Sequence, residues 1–304
     1  MKSKLVSFET EDDLSLSGLL YEPKNRSKKI AIFLHGNGNG SIFNNPELQN
    51  TIGDALTKKG IAYFPFNNRG SGYIRSFSRM VKGKKVRRNQ GMAFELIKDC
   101  VIDIDAALAA LRKRGYSEFY LLGHSTGANK ICVYNYYKPK NIFSKFVLLA
   151  PGDDVGGYLD MWGPQKFGAM LKMSKDKIKA GKGDELVPQN LSSYNFISFK
   201  SLYDTINPDG DYNVFPYFEV LHNLGLTKKK KIWREYQSLK KPTLVLMPGK
   251  DEHCYGKIKE VVKMLQQNAP GKNFDFKILP GSLHGFWKKE KELSKLLADW
   301  LASN

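Results

Sequence analysis

Phe119-Tyr120-Leu121-Leu122-Gly123-His124-Ser125-Thr126-Gly127 is the stretch on which the fold is decided. Its first four residues are a short apolar run of the kind a buried strand presents. The next five read Gly-x-Ser-x-Gly, and an alanine- and tyrosine-containing segment that can be helical follows. A strand that turns at once into a helix holds its central residue at a strained, exposed bend. Glycine two residues to either side removes the Cβ atoms that would collide there. The free amides at the start of the helix favour negative charge developing beside them. A five-residue pattern with three fixed positions also arises by chance; the flanking strand and helix argue against that here. Ser125 is the candidate nucleophile.

Outward from this bend, apolar runs alternate with helical periodicity, which predicts a mostly parallel sheet. Leu5 to Phe8 and Leu14 to Tyr21 read as an antiparallel opening pair. Buried strands are expected at Ile30 to Leu34, Ile61 to Phe66, Phe146 to Ala150, Thr243 to Met247 and Phe274 to Leu279. From Ala93 to Arg114 the set Ile97, Cys100, Ile104, Leu108 and Leu111 recurs at three-or-four spacing and predicts a helix. Glu290 to Ala302 predicts another, with Leu293, Leu296, Leu297, Trp300 and Leu301 on one face. From Asp153 to Lys240 the alternation stops. A structureless loop of that length does not suit a compact domain, so this stretch reads as an inserted cap. The expected organisation is a core of residues 1–152 and 241–304 with a cap of 153–240. In the cap, Trp162 and Phe167 are candidate walls of a substrate pocket; packing of the cap on itself accounts for them equally well.

Two further glycine-flanked sites join Ser125. His35-Gly36-Asn37-Gly38-Asn39-Gly40 follows the strand Ile30 to Leu34 and is placed to offer a backbone amide to an oxyanion. The amides of Asn37 and Thr126 are the expected pair of donors. A nucleotide-phosphate reading fails, because Ser41 stands where the third glycine of G-x-G-x-x-G belongs and the P-loop lysine is missing. His284 lies on the loop between Leu279 and the last helix, where a base can reach the serine. Asp251 follows Thr243 to Met247 and is the expected acid. Glu252 beside it, and Asp153 and Asp154 after Phe146 to Ala150, are the alternatives. The order Ser, Asp, His suits this fold and not that of chymotrypsin or subtilisin. Asp209-Gly210-Asp211-Tyr212-Asn213 resembles the start of a calcium loop, but Val214 and Val220 replace the required glycine and glutamate, so it reads as a polar turn.

The bulk composition narrows the class. In 304 residues, hydrophobic side chains make up 41% and aromatics 12%, which is enough for a large core. No secretory h-region follows Met1, and no apolar run approaches the ~18 residues of a membrane span; a soluble, cytoplasmic protein is expected. The odd cysteine count (Cys100, Cys132, Cys254) and the histidine spacings suggest neither a disulfide framework nor zinc. No metal or organic cofactor is expected. The net charge is +18. Basic residues cluster at Arg75, Arg79, Lys82, Lys84, Lys85, Arg87 and Arg88, and again at Lys228 to Lys231. No nucleic-acid motif accompanies them. A solvated lysine-rich surface is the simpler reading, with an anionic substrate or surface as the sharper one.

Taken together, His35-Gly36, the turn Asn67-Asn68-Arg69-Gly70-Ser71-Gly72, Gly123 to Gly127, Asp251 and His284 resemble the α/β hydrolases of the serine-aminopeptidase-like, monoglyceride-lipase-like group. The turn in that group reads D-x-R-G-x-G; here Asn67 replaces the aspartate. Leu122 to Gly127 with Lys130 and Tyr134, and Asn207-Pro208-Asp209-Gly210, are similar to a branch that includes fungal siderophore-esterase-like proteins. The resemblance implies the α/β-hydrolase fold, a mostly parallel sheet flanked by helices with an inserted helical cap. It also implies hydrolysis of an ester or related acyl bond through an acyl-enzyme, on a small-molecule substrate. A catalytically silent receptor and an amidase or peptidase on the same fold are the alternatives, with an anion- or nucleic-acid-binding protein as a further rival.

Overall fold

A computed structural model describes residues 3–37, 40–192 and 196–303, with the backbone alone at 79–81. Gly38 and Asn39 of the glycine-rich turn, and Tyr194 of the cap, lie outside the described residues. The chain opens with β1 (Ser3–Glu9) and β2 (Ser15–Tyr21), paired antiparallel. Then come β3 (Lys29–Leu34), α1 (Pro46–Lys58) and β4 (Ala62–Asn67). A separate antiparallel pair, β5 (Arg75–Val81) and β6 (Lys84–Gln90), precedes α2 (Cys100–Arg112). The rhythm resumes with β7 (Glu118–His124), α3 (Thr126–Tyr137) and β8 (Phe143–Leu149). Three helices follow without a strand among the described residues: α4 (Asp154–Lys179), α5 (Phe199–Ile206) and α6 (Tyr217–Leu221). β9 (Thr243–Pro248), α7 (Ile258–Asn268), β10 (Phe274–Leu279) and α8 (Glu290–Ala302) complete the chain.

The main sheet has eight strands in the order β1-β2-β4-β3-β7-β8-β9-β10. From β4 to β10 every pairing is parallel. Alternation along each strand feeds two cores. Ile30, Ile32 and Leu34 of β3 face the helices α2, α3 and α7, while Ala31 and Phe33 face α1 and α8. This is the arrangement a parallel sheet needs, because both its faces must be covered. A ligand crevice is then expected at the carboxyl ends of the strands, and there the chain places His35, Ser125, Asp251 and His284.

The strands read from the sequence recur within a few residues of their expected positions. The helix expected over 93–114 is shorter. A 3-10 turn (Ile97–Asp99) leads into α2, and the residues before it are held elsewhere. Gly91, Met92 and Ala93 donate their amides to the carbonyls of Arg69, Gly72 and Tyr73 at 2.8–3.0 Å. Backbone hydrogen bonding to a distant turn wins over local periodicity there. The β5–β6 hairpin has no counterpart among the expected strands, since its polar, basic residues carry no strand-like apolar pattern.

The segment between β8 and β9 divides. Val155, Tyr158, Leu159, Phe167, Met170, Phe199, Leu202 and Ile206 form a cluster of their own. Tyr212, Val214, Phe215, Tyr217, Trp233, Tyr236 and Leu239 join the larger core instead. α4 is interrupted at Gly163, whose φ of 72° is left-handed, just before Pro164.

Candidate active site

The bend at Ser125 is held from several sides. Ser125 adopts φ 56°, ψ −127°, a conformation that costs a non-glycine residue about 1–3 kcal/mol. Its amide donates to Leu149 O at 2.8 Å, tying it to the end of β8. A Cβ on Gly123 would lie 2.2 Å from Gly127 O, and one on Gly127 would lie 2.3 Å from Leu34 O. Side chains therefore cannot stand at either position without moving the backbone. A Cβ on Gly36 would lie 2.9 Å from Ser125 Cβ, so the loop after β3 runs directly against the bend.

That loop is clamped by residues that sequence reasoning treated only as motif flanks. The Asn68 amide donates to His35 Nε2 at 3.2 Å, which leaves Nδ1–H to donate to Gly36 O at 2.8 Å. Burial lowers the His35 pKa to about 3, so the ring stays neutral. Asn67 Oδ1 accepts from Ser41 Oγ at 3.0 Å and from the Ile42 amide at 2.9 Å. The asparagine that departs from the D-x-R-G-x-G pattern thus props the loop without adding a charge. Beneath it, buried Arg69 donates to Asp103 (Nε to Oδ1 2.9 Å, Nη2 to Oδ1 2.8 Å) and to Asp12. Asp12, which burial alone would push up, is held at about 2 by its bonds to Arg69, Thr10 and Arg88.

His284 is fixed at three points. Its Nδ1 lies 3.0 and 3.1 Å from the two carboxylate oxygens of Asp251. Its amide donates to Glu252 Oε2 at 3.0 Å, and its carbonyl accepts from His124 Nε2 at 2.8 Å. Burial opposes charge on Asp251, yet the contact with His284 and the His253 amide carry its pKa below the usual carboxylate value. Of the carboxylates weighed from the sequence, Asp251 meets the ring. Glu252 meets the backbone of the same residue. Asp153 caps α4 through the Gly156 amide at 2.7 Å and accepts from the Phe218 amide at 2.7 Å. Asp154 stands beside Thr126. His124 and His253 pack on the His284 ring with centroids 5.0 and 4.4 Å away.

One cavity of about 690 Å³ contains Asn37, Ser125, Thr126 and His284 in its lining. Thr126 opens α3, so its amide has no partner within the helix. No hydrogen bond joins the Ser125 hydroxyl to the His284 ring among the described residues; such contacts commonly tighten only when substrate is present. Trp162 and Phe167 do not line the cavity. Phe167 is buried in the α4–α5 cluster, and Trp162 packs on Tyr158 at 4.7 Å; Tyr158 and Met161 form the wall instead. The basic β5–β6 hairpin does not line it either. Lys230 of the second basic cluster is not solvated: it is buried against Glu235, 3.1 Å from Oε2. No group of His, Cys, Asp and Glu among the described residues is arranged to hold a metal ion, and no helix among them is long and apolar enough to cross a membrane.

A mostly parallel sheet, flanked by helices, with a Gly-x-Ser-x-Gly bend at the end of a central strand, defines the α/β-hydrolase class. Within it, the sequence model of the family described as "Serine aminopeptidase, S33" matches residues 25–292, and the chain belongs to that family. Solved structures share the fold at low identity. Est1E from Butyrivibrio proteoclasticus, with ferulic acid bound, is 14% identical with a TM-score of 0.62, over 97% of this chain and 98% of that one. A soluble variant of monoglyceride lipase from Saccharomyces cerevisiae is 15% identical with a TM-score of 0.62, over 99% and 96%. The monoacylglycerol lipase of Paleococcus ferrophilus is 17% identical with a TM-score of 0.57, over 99% of each chain. No curated protein matches the chain in sequence.

Proposed function

We propose that this α/β hydrolase is a serine esterase acting on a small acyl substrate, with Ser125 as nucleophile, His284 as base and Asp251 as acid. The observation that carries the reading is the Nδ1 contact of His284 with Asp251, with His284 and Ser125 lining one cavity. In the reaction, His284 Nε2 takes the proton of Ser125 Oγ as that oxygen bonds to the carbonyl carbon. The amides of Asn37 and Thr126 stabilise the oxyanion; one such donor is worth about 10²–10³ in rate. His284 then gives the proton to the departing alkoxide oxygen. Water repeats the sequence on the acyl-enzyme and releases the acid. Of residues 153–240, the start of α4 serves as the cap over this cavity, through Gly157, Tyr158 and Met161. The lipases named among the structural neighbours favour an ester over an amide.

Labelling with a fluorophosphonate probe, coupled to an acyl-length screen of chromogenic esters, tests the reading. Ester turnover that vanishes in Ser125→Ala, with labelling confined to Ser125, is expected. A wild-type protein that neither labels nor turns over any ester would be a silent receptor instead. Steep salt-dependent retention on nucleic acid without turnover would favour the binding-protein rival.

A further inference from the structure

Outside the mechanism proposed for Ser125 stands a buried ion pair. Lys130 and Glu95 have side chains 1% and 4% exposed, and Lys130 Nζ donates to Glu95 Oε1 at 2.6 Å. Neither lines the cavity, where the carboxylates Asp153, Asp154, Asp160 and Glu252 stand and no lysine or arginine does among the described residues. Any effect of the pair on the reaction therefore passes through other residues. Taking two charges out of water is costly, and an apolar pair of similar volume often stabilises a fold as well or better. Stability alone does not account for a pair at this place.

Its two ends belong to the two halves of the proposed oxyanion hole. Lys130 lies on α3, the helix that Thr126 opens. Glu95 lies on the segment that grips the turn 67–72. There Gly91 and Met92 donate their amides to Arg69 O and Gly72 O at 2.9 and 2.8 Å, and Glu95 donates its own to Gly91 O at 3.0 Å. The Glu95 carboxylate lies directly against that turn, since a Cβ on Gly70 would stand 2.0 Å from Oε2. The turn then holds the loop that carries Asn37. Before Asn37 in the chain, His35 Nε2 accepts from the Asn68 amide at 3.2 Å. After it, Gly40 O accepts from the Gly72 amide at 3.1 Å. One chain of contacts thus runs from Thr126 through Lys130, Glu95 and Gly70 to the loop of Asn37. The charge of Lys130 acts on the same loop. Burial first, and the Lys130 ammonium next, hold the His35 pKa down, and the ring must be neutral for Nε2 to accept.

Resting on the reading of Ser125 as nucleophile, we propose that Glu95 and Lys130 are positioning residues that set the spacing of the two oxyanion donors, the amides of Asn37 and Thr126. Their bond fixes how far α3 stands from the turn 67–72, and the turn fixes where the loop offers Asn37. A charge-assisted hydrogen bond suits this task because it weakens outside a narrow range of length and direction. Apolar packing is non-directional and sets no such distance.

The double variant Lys130→Met/Glu95→Leu, which puts apolar side chains of similar volume in place of the pair, tests this. Its Tm is expected at or above the wild-type value. Its kcat for a 4-nitrophenyl ester should fall by about tenfold to a hundredfold, as displacements near 1 Å do, with KM within about threefold. Wild-type kcat in this variant overturns the proposal, as does a loss that falls on KM instead. Reach is tested separately, and decides if the apolar variant does not fold. Glu95→Asp draws the carboxylate back by one methylene with its charge kept, and should lower kcat about tenfold. Adding Lys130→Arg, whose longer side chain spans the gap, should restore most of the loss; an unchanged kcat in Glu95→Asp, or no restoration, overturns the proposal. If none of these variants yields soluble protein, the pair serves folding and the proposal is overturned. If the wild type turns over no ester, the esterase reading fails separately. Hydrogen exchange at the Ile42, Asn68 and Gly72 amides, which tie the loop to the turn, then decides. Exchange about tenfold faster in the apolar variant, with the amides of β7 unchanged, supports the positioning role, and equal exchange overturns it.

Discussion

Asp251→Asn keeps the shape of the side chain and removes its charge, and with it the preference for a proton on His284 Nδ1. In the proposed reaction the ring would then present N–H instead of a lone pair to Ser125. A loss of about 10³–10⁴ in kcat is expected, by analogy with triads studied elsewhere, with little change in the folded structure. Steady-state kinetics beside a melting curve checks both halves. A second residue-scale prediction concerns pH. Burial raises Asp153 to about 7 and Asp154 to about 6. Between the ordinary carboxylate pKa near 4 and these values, the folded state holds protons that the unfolded state has released. Stability contributed by these groups therefore falls as pH rises through that window. Asp153→Asn should flatten the fall in Tm between about pH 4 and pH 7, read by thermal denaturation across a buffer series.

At the scale of elements, the strand-to-helix bend and the turn after β4 bear most of the geometry. Gly127→Ala places a methyl 2.3 Å from Leu34 O, where the obstacle is backbone. The bend must open, and loss of soluble expression or of nearly all turnover is expected. Arg69→Gln leaves Asp103 buried without its cation. Breaking a pair of this kind costs about 3–5 kcal/mol, and a denaturant titration should show an unfolding free energy lowered by that much, as an earlier midpoint with the slope unchanged. Much of this scale was legible in the sequence. The parallel strands and the last helix show as apolar runs and three-or-four spacing, which are local properties. The hairpin β5–β6 was not legible, because its strands pair only with each other and bury little. The start of α2 is not legible either, because the amides of residues 91–93 bond to the turn at 69–73.

On the scale of the whole molecule, charge is distributed unevenly. The basic hairpin forms a sheet of its own and does not line the cavity. Replacing Lys82, Lys84, Lys85 and Arg87 by glutamine should leave kcat/KM for neutral esters within about twofold, since these exposed side chains do not line the cavity and salt screens exposed charges. The same variant should elute earlier from a heparin column. Retention that does not change would remove the hairpin as the main anion-attracting surface.

Alone, the sequence determined the alternation of strands and helices, the bend at Ser125, and the residue types that flank it, since each follows from periodicity or from steric demands within a few positions. It narrowed the acid to a few carboxylates. Tertiary structure decided which of them meets His284, because Asp251 and Glu252 are neighbours in the chain and only the closure of one loop on another sends the first to the ring and the second to the backbone. It also decided the sign of the cavity, which no count of lysines reveals: long basic side chains find water at the surface, while the short carboxylates of Asp153 and Asp154 are carried inward by the turn that begins α4.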